Sequence, residues 1–405
     1  MKCRILPQEP AGFPGRQQRP AGKAPSNRAT WACIVPSMTV RMKDIAKDLG
    51  LSVVTVSKVL RHHPDIGEET RKRVLRRVRE LDYQPNVLAR SLVTGRSYLI
   101  GLVVPDLLHP FFAEVAKALS NVVRQLGYSV IISSSEEDAE LEAREIQQLV
   151  ARQLDALVIA SSSNETAAFE KMDRQGQPYV LIDREFPGLT ANFVGIDDEA
   201  AGRIATEHLA DQGCRTIAHI RGRDNSTGMR RFEGYKKALQ GRGLHYSDAN
   251  VVGRPKVDFE STRHGAEAMR LLLERKSRPD GVFCYNDPLA IGAMTAILES
   301  GLRIPEDIAI IGCGNLHYDS ALRVPLSSVD QHSQMIGERA AKILLHMIES
   351  KGRPHARSII LDPSLVVRSS TLRGPQLMAS DIPSQLKANS RNRAVARRTG
   401  ERKKT

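Results

Sequence analysis

The fold is decided by residues 42–61, which read MKDIAKDLGLSVVTVSKVLR. Ile45 and Leu49 recur at helical spacing, so they give a first short helix one apolar face. Gly50 suits the left-handed turn that ends a helix, and Ser52 suits the cap of a second helix. The pattern therefore predicts two short helices joined by a tight turn.

The second helix is predicted to pack with one side and to show the other. Val56, Val59 and Leu60 would face the first helix. The outward side chains, at its N-terminal end, would be Val53, Val54, Thr55, Ser57 and Lys58. Such a helix can enter the major groove of DNA. A surface helical hairpin without any ligand would show the same pattern, so the stretch alone leaves both interpretations open.

A third helix is predicted over residues 68–81, acidic in its first turn and strongly basic after it. It is followed by YQPNVLARSL at residues 83–92. In order and spacing over residues 42–95, these elements resemble the DNA-binding headpiece and hinge of the lactose-repressor (LacI/GalR) family of bacterial transcriptional regulators. The resemblance implies a helix-turn-helix that binds double-stranded operator DNA.

The resemblance also assigns roles within the headpiece. It implies that Val53 and Val54 meet base edges, where valine reads thymine methyl groups, and that Lys58 reaches guanine acceptors. Two further side chains match positions that bind phosphate: Thr55 and Ser57. Arg61 stands where the family commonly has asparagine, and it either adds a phosphate contact or lies in a solvated loop.

Residues 86–97 match the family's hinge helix and linker. The resemblance implies that Leu92 wedges into the central base step and kinks the duplex, while the small Ala89 lets two hinge helices pack together. Asn86 completes the predicted contacts of the hinge with DNA. The alternative is that Leu92 is only the last apolar contact of a linker.

The charge of the chain is unevenly distributed. The formal net charge of +13 divides into +5 for residues 1–37, +6 for 38–97, −4 for 98–373 and +6 for 374–405. This distribution indicates a DNA-binding head on an acidic body that does not touch phosphates. The five cysteines are scattered without metal-ligand spacing, and no apolar run approaches the length of a membrane span. We therefore expect a cytoplasmic protein that does not enter a membrane.

Both ends of the chain are predicted to be disordered and basic. Residues 1–37 could be an arm that adds nonspecific DNA affinity, or Met38 or Met42 could be the true start of translation. Residues 374–405 lack the leucine heptads that would form a tetramer, so we expect a homodimer.

From residue 98 onward, apolar strands alternate with amphipathic helices, which predicts two successive doubly wound α/β units with parallel sheets. Such a pair resembles the periplasmic sugar-binding-protein fold. The predicted divisions are a headpiece at 38–85, a hinge at 86–97 and a core at 98–373, the core having an N-subdomain (98–198 and 333–361) and a C-subdomain (199–328 and 362–373).

Ligands of open parallel sheets lie beyond the carboxyl ends of the strands. That rule and the family resemblance together predict seven effector contacts: Asp106, Phe111, Asp183, Arg231, Phe259, Asn286 and Gln331. Carboxylate, guanidinium and amide groups suit a ligand with several hydroxyls, and a phenyl ring suits an apolar sugar face. Any single Asp or Asn after a strand could instead be a helix cap.

One segment departs from the family. Residues 313–315 read CGN where the family usually has an aromatic residue followed by aspartate, so either Asn315 substitutes or the effector differs. A catalytic role for Cys313 is weak, because the sequence positions no histidine partner for it.

Two other functions were weighed. An enzyme would need a phosphate-binding glycine loop, a metal motif or a nucleophile elbow, and none is present, so no catalytic residue, metal or cofactor is predicted. A transport-type sugar receptor would need a signal peptide and no headpiece. The sequence thus predicts a repressor that binds a pseudo-palindromic operator under the control of a small molecule, without showing whether that effector releases DNA or is required for binding.

Overall fold

The structure is a computed structural model that describes residues 40–60, 63–84, 91, 94–186, 188–253, 261–350 and 355–373. The chain divides after Asn86 into two compact units. Each unit is considered by itself.

The first unit contains three helices, α1 (Met42–Leu49), α2 (Val53–Leu60) and α3 (Glu68–Glu80). Their buried side chains form one small core: Ile45, Ala46, Val56, Val59, Val74 and Tyr83. Each valine or isoleucine buried in this way contributes about 1.5–3 kcal/mol. The two predicted short helices and the third helix are therefore confirmed, with the third ending one residue earlier than expected.

The turn between α1 and α2 forms as predicted. Gly50 has φ +66°, and the amide of Leu51 donates to the carbonyl of Ala46 at 2.9 Å. Ser52 Oγ accepts from the amide of Thr55 at 3.0 Å, which caps α2. These bonds fix how α2 leaves the first helix, so its exposed side is set by the turn.

The second unit is an α/β body. Its helices are α4 (Pro110–Arg124), α5 (Ala139–Ala151), α6 (Ala167–Gln175), α7 (Asp198–Asp211), α8 (Ser226–Gly241), α9 (Ser261–Leu273), α10 (Asp287–Glu299) and α11 (Ser333–Glu349). Its strands are β1 (Leu99–Val104), β2 (Ser129–Ser134), β3 (Ala156–Ile159), β4 (Tyr179–Ile182), β5 (Phe193–Ile196), β6 (Ile217–Arg221), β7 (Val251–Gly253), β8 (Gly281–Cys284), β9 (Ala309–Gly314), β10 (Ser327–Asp330), β11 (Ser358–Leu361) and β12 (Ser364–Val366).

The strands form two six-stranded sheets. The first has the order β11-β5-β4-β3-β1-β2 and is parallel throughout. The second has the order β12-β10-β9-β8-β6-β7, and only β12 runs antiparallel to its neighbour. The expected fold class, a helical headpiece followed by two doubly wound parallel-sheet subdomains, is confirmed. In each sheet the central strands end at one edge, where ligands of such folds bind.

Helix α11 belongs to the layer that covers the first sheet, although it directly follows β10 of the second sheet. It lies against α4, and a Cβ atom on Gly337 would lie 2.6 Å from the carbonyl oxygen of Val115. The glycine therefore permits a close approach of the two backbones. Because α11 follows a strand of one sheet and covers the other, it connects the two subdomains.

Candidate functional site

The exposed side of α2 carries two large apolar side chains. Val53 is 45% exposed and Val54 is 62% exposed, whereas Val56 and Val59 are fully buried. Thr55 lies at the edge of this surface and shares a 2.8 Å hydrogen bond with Ser52. The N-terminal end of α2 therefore shows valines to solvent, as the periodicity predicts.

Lys58 differs from the expectation that it simply points outward. Its ammonium group donates to the carboxylate of Asp65 at 2.5 Å, and its side chain is only 35% exposed. His63 Nδ1 lies 2.6 Å from the same carboxylate. The hydrogen bond from Lys58 lowers the pKa of Asp65, so this group stays ionised. Lys58 must leave Asp65, or share it, before it can contact a base.

Ser57 is half-buried on α2. Several predicted contacts lie outside the described residues: Arg61, Asn86, Ala89, Leu92 and Phe259.

In the second unit, the predicted effector residues meet between the two sheets. Asp106 and Asp183 follow β1 and β4 of the first sheet, whereas Asn286 and Gln331 follow β8 and β10 of the second. Arg231 reaches the same place from α8. One cavity of about 30 Å³ is lined by Asp106, His109, Phe111, Phe112, Glu137, Asp183, Arg184, Arg231, Tyr285, Asn286 and Gln331. This set of residues is called the cleft below.

Arg231 lies at the centre of the cleft, with a side chain only 2% exposed. Its Nε donates to Asp198 Oδ1 at 2.8 Å, and its Nη1 donates to the carbonyl of Tyr285 at 2.7 Å. Its Nη2 donates to Gln331 Oε1 at 2.8 Å. Burial raises the pKa of Asp198 to about 6, although Arg231 opposes this shift. Arg231 thus ties α7 of one subdomain to the ends of β8 and β10.

A glycine pair explains how α8 brings Arg231 so close to α7. A Cβ atom on Gly234 would lie 2.0 Å from the carbonyl oxygen of Glu199, and one on Gly202 would lie 2.0 Å from that of Arg231. Any larger side chain would push the helices apart. The sequence of Arg231 followed by Gly234 is therefore a packing requirement as well as a family signature.

Asn286 performs both of the roles that the sequence left open. Its Oδ1 accepts from the amide of Leu289 at 2.9 Å, which caps α10. Its Nδ2 lies 3.3 Å from His109 Nε2, on the opposite subdomain. The capping bond leaves the amide nitrogen as the donor to His109, so the imidazole proton lies on Nδ1. Burial lowers the pKa of His109 to about 4, so the ring is neutral at neutral pH.

A buried ion cluster, which sequence reasoning missed, forms one wall of the cleft. Glu137 follows β2 and accepts from Arg184 at 2.8 and 3.0 Å. Arg223, which follows β6 of the second sheet, donates to the same carboxylate at 3.0 Å. Glu137 therefore links the two subdomains. The only signal for it was its place after a strand, beside another glutamate.

Three expected residues have other surroundings than predicted. Phe111 is 2% exposed and packs edge-on against Phe112 at 5.1 Å, so one ring edge, and not an open face, borders the cleft. Asn315 does not line the cleft, because its side chain bonds to Asp330 at 3.1 Å and to Arg368 at 2.6 Å. It therefore does not replace the missing carboxylate. Cys313 is buried, which raises its pKa to about 12, as expected for a packing residue.

Comparison with known proteins agrees with both units. The family model described as "Bacterial regulatory proteins, lacI family" matches residues 41–86, and "Periplasmic binding protein-like domain" matches residues 206–371. A ribose operon repressor from Halalkalibacterium halodurans is 34% identical over 334 residues, which cover 82% of this chain and 97% of that protein. The transcriptional repressor PurR from Aliivibrio fischeri is 32% identical over 339 residues, which cover 82% and 98%.

Solved structures show the same likeness. A lac repressor dimer bound to operator and the anti-inducer ONPF matches with a TM-score of 0.72 at 26% identity, covering 82% of this chain and 99% of that one. A complex of the transcriptional regulator CelR with cellobiose matches with a TM-score of 0.62 at 28% identity, covering 82% and 99%.

The fold and the two sites define a helix-turn-helix transcriptional regulator with a periplasmic-binding-protein-like core. The chain belongs to the lacI family of bacterial regulatory proteins. It is a DNA-binding regulator and not an enzyme, which excludes the first alternative weighed from sequence. Within the described ranges, no helix has the length and apolar character needed to cross a membrane.

Proposed function

We propose that this protein is a cytoplasmic repressor that binds a pseudo-palindromic operator as a homodimer and is controlled by a sugar or sugar derivative in the cleft. The observation that carries the DNA-binding half is the pair Val53 and Val54, exposed at the N-terminal end of a helix whose other valines are buried. Large apolar side chains are shown to solvent in this way where they meet another surface.

The predicted contacts with DNA are Val53, Val54, Thr55, Ser57, Lys58, Arg61, Asn86, Ala89 and Leu92. In this assignment the valines read thymine methyl groups, and the residues around them hold the phosphates. Asp65 acts as a counter-charge that Lys58 leaves when DNA offers phosphates or guanine acceptors. The division into headpiece, hinge and two-part core stands as part of the proposal, with the bounds given from the sequence.

The effector half of the proposal rests on the cleft between the two sheets. Five of its lining residues are polar groups that two different subdomains contribute: Asp106, Asp183, Arg231, Asn286 and Gln331. A cavity of about 30 Å³ holds about one water molecule, so a sugar would enter only if the subdomains moved apart. That movement would carry the signal, because effector binding would then change the relative positions of two rigid bodies.

The homodimer is supported by an apolar groove beside the edge strand β2 and helix α4. Leu108 is 87% exposed, Leu107 51% and Ile132 44%. The groove has a volume of about 370 Å³ and is also lined by Ala113, Ala116 and Val130. A second copy of the chain would cover these side chains, and two headpieces would then face a two-fold operator.

The test is selection of bound DNA from a random library by the purified full chain at one fixed salt concentration, with and without a panel of sugars. We expect a two-fold symmetric site whose binding changes with at least one sugar. Salt-sensitive binding without a selected site would contradict the proposal, since it would show only nonspecific attraction to phosphates.

A further inference from the structure

The arginines of the cleft are already matched by acceptors of the protein itself. Arg184 donates to both oxygens of Glu137 and, at 2.9 Å, to the carbonyl of Ser161. Arg223 shares Glu137, and Arg231 is engaged by Asp198. Each guanidinium therefore lies against a carboxylate, and no cation at this place is left to neutralise a charged ligand.

Two carboxylates of the cleft lack such a match. Asp183 lies 3.7 Å from Arg184 Nε, which is an ion-pair distance without a hydrogen bond, and its side chain is 11% exposed. Asp106 accepts only from the amide of Leu108, at 2.8 Å. Among the described residues, no lysine or arginine forms an ion pair with Asp106. The negative charges of Glu136 and Glu137 add to the field at Asp106.

The remaining free groups are donors without charge. His109 is neutral, and its Nδ1 is buried without a hydrogen-bond partner among the described residues. Gln331 gives its Oε1 to Arg231, so its amide nitrogen stays available as a donor. The cleft thus offers two carboxylate acceptors and two neutral donors to a ligand.

We propose that the cleft selects an uncharged effector whose hydroxyl groups donate to Asp183 and Asp106, and that it excludes anionic relatives such as sugar phosphates and sugar acids. This inference rests on the proposed function of the cleft. A phosphate or carboxylate here would lie near two carboxylates with no spare cation, and like charges at such separations repel strongly in a partly buried site. We expect an anion to bind roughly 100-fold more weakly than its neutral parent.

The probes are matched pairs that differ only in charge: ribose and ribose 5-phosphate, glucose and glucose 6-phosphate, glucose and gluconate. Binding of each to the full-length dimer is measured by calorimetry, and release or capture of the selected operator is measured by fluorescence anisotropy. Identical ionic strength in all samples keeps screening constant.

The Asp183→Asn variant tests the residue directly. Asp183 has φ +64°, a conformation that asparagine adopts readily, so the backbone is preserved. We expect at least tenfold weaker binding of the neutral sugar, because a charged acceptor is lost, and a smaller gap between that sugar and its anionic partner. The matched control is Asp211→Asn, which changes an exposed aspartate paired with Arg242 and should alter neither value.

The outcomes separate the two levels of the argument. An anion that binds more tightly than its neutral parent would overturn the inference and leave the regulator intact. If operator is selected but no compound of either charge binds, the sugar class is wrong and the inference fails with it. If no operator is selected either, the proposed function itself fails. A neutral preference that Asp211→Asn weakens as much as Asp183→Asn does would also overturn it.

Discussion

The recognition helix exposes apolar side chains to solvent, whereas the cleft buries charged ones. Val53 and Val54 need no partner within the protein, because valine makes no hydrogen bonds. Arg231, in contrast, is held at three nitrogens by groups from two subdomains. A substitution on the helix should therefore change binding alone, while one in the cleft should change stability and binding together.

The largest effect expected from this comparison is that of Arg231→Met. Its removal leaves Asp198 buried without a counter-ion, which typically costs about 3–5 kcal/mol of unfolding free energy. Denaturant unfolding measures this loss, and calorimetry should show that sugar binding is lost too. The neighbouring Arg230→Met is the matched control, since Arg230 is 48% exposed and its ion pairs contribute no more than about 1 kcal/mol. Equal losses in both variants would remove the distinction between the two regions.

The second prediction concerns the helix. Val54→Glu should weaken operator binding by about 10- to 100-fold, because a carboxylate would replace a methyl contact beside phosphates. Unfolding free energy should change by less than about 0.5 kcal/mol, since the site is exposed and an acid suits the first turn of a helix. Anisotropy with the selected operator measures the affinity. Val367→Glu, at a 42% exposed valine of the core, is the control, and unchanged binding by Val54→Glu would show that α2 does not read bases.

The difference between the regions also decides how far sequence could predict them. The spacing of Val56 and Val59 shows which side of α2 is buried, and exposure of the other side follows from the same period. The strands Leu99–Val104, Tyr179–Ile182 and Gly281–Cys284 were predicted with their observed bounds, because each is a buried apolar run.

Other elements carried a weaker signal. Strands β11 and β12 lie at sheet edges and alternate exposed with half-buried residues, so they contain no continuous apolar run. They, together with α9, α11 and β7, were not among the predicted elements. Helix α8 begins at Ser226, three residues before the predicted Met229, because polar residues in a first turn add nothing to an apolar period.

The site residues follow the same logic. The rule that ligands lie beyond strand ends located Asp106, Asp183, Asn286 and Gln331 in one cleft. It could not show that Glu137 and Arg223 pair across the subdomains, because they are 86 residues apart and belong to different sheets. Pairing of charges depends on how the two subdomains come together, which periodicity does not encode.

Buried charge appears again away from the cleft, and this gives a third prediction. Asp319 and Asp287 are both fully buried, and burial raises the pKa of Asp319 to about 9. The folded state then holds a proton that the unfolded state releases above its pKa of about 3.9. The stabilisation is complete below that pH and is lost as pH rises toward 9, by up to about 1.4 kcal/mol per pH unit.

Asp319→Asn should therefore flatten the fall in unfolding free energy between pH 5 and about pH 9, measured in urea at several pH values. Asp307→Asn is a control of opposite sign. Bonds from Arg303 lower the pKa of the exposed Asp307 to about 2, so its contribution is present above about pH 4 and lost only as pH falls toward 2. If Asp319→Asn left the slope unchanged, the buried pair would not hold an extra proton.

The smallest expected effect sharpens the comparison by joining the cleft to the start of the core. Helix α11 begins two residues after Gln331 and spans about 25 Å. At its far end, the carbonyl of Ile348 accepts from Arg96 Nη2 at 3.2 Å. Arg96 belongs to the predicted linker of the hinge, so a shift of α11 caused by effector binding would be felt there.

Arg96→Ala should leave sugar affinity unchanged while reducing the effect of sugar on operator binding, roughly two- to tenfold, as expected for a residue that carries part of a coupling energy. The ratio of operator affinities with and without sugar measures this coupling. Arg339→Ala, at an exposed position on the same helix, is the control. If both variants keep the full ratio, the signal does not pass through the contact between Arg96 and α11. If Arg96→Ala lowers sugar affinity as well, Arg96 stabilises the ligand-binding form of the core rather than transmitting its change, because coupling between sites is reciprocal.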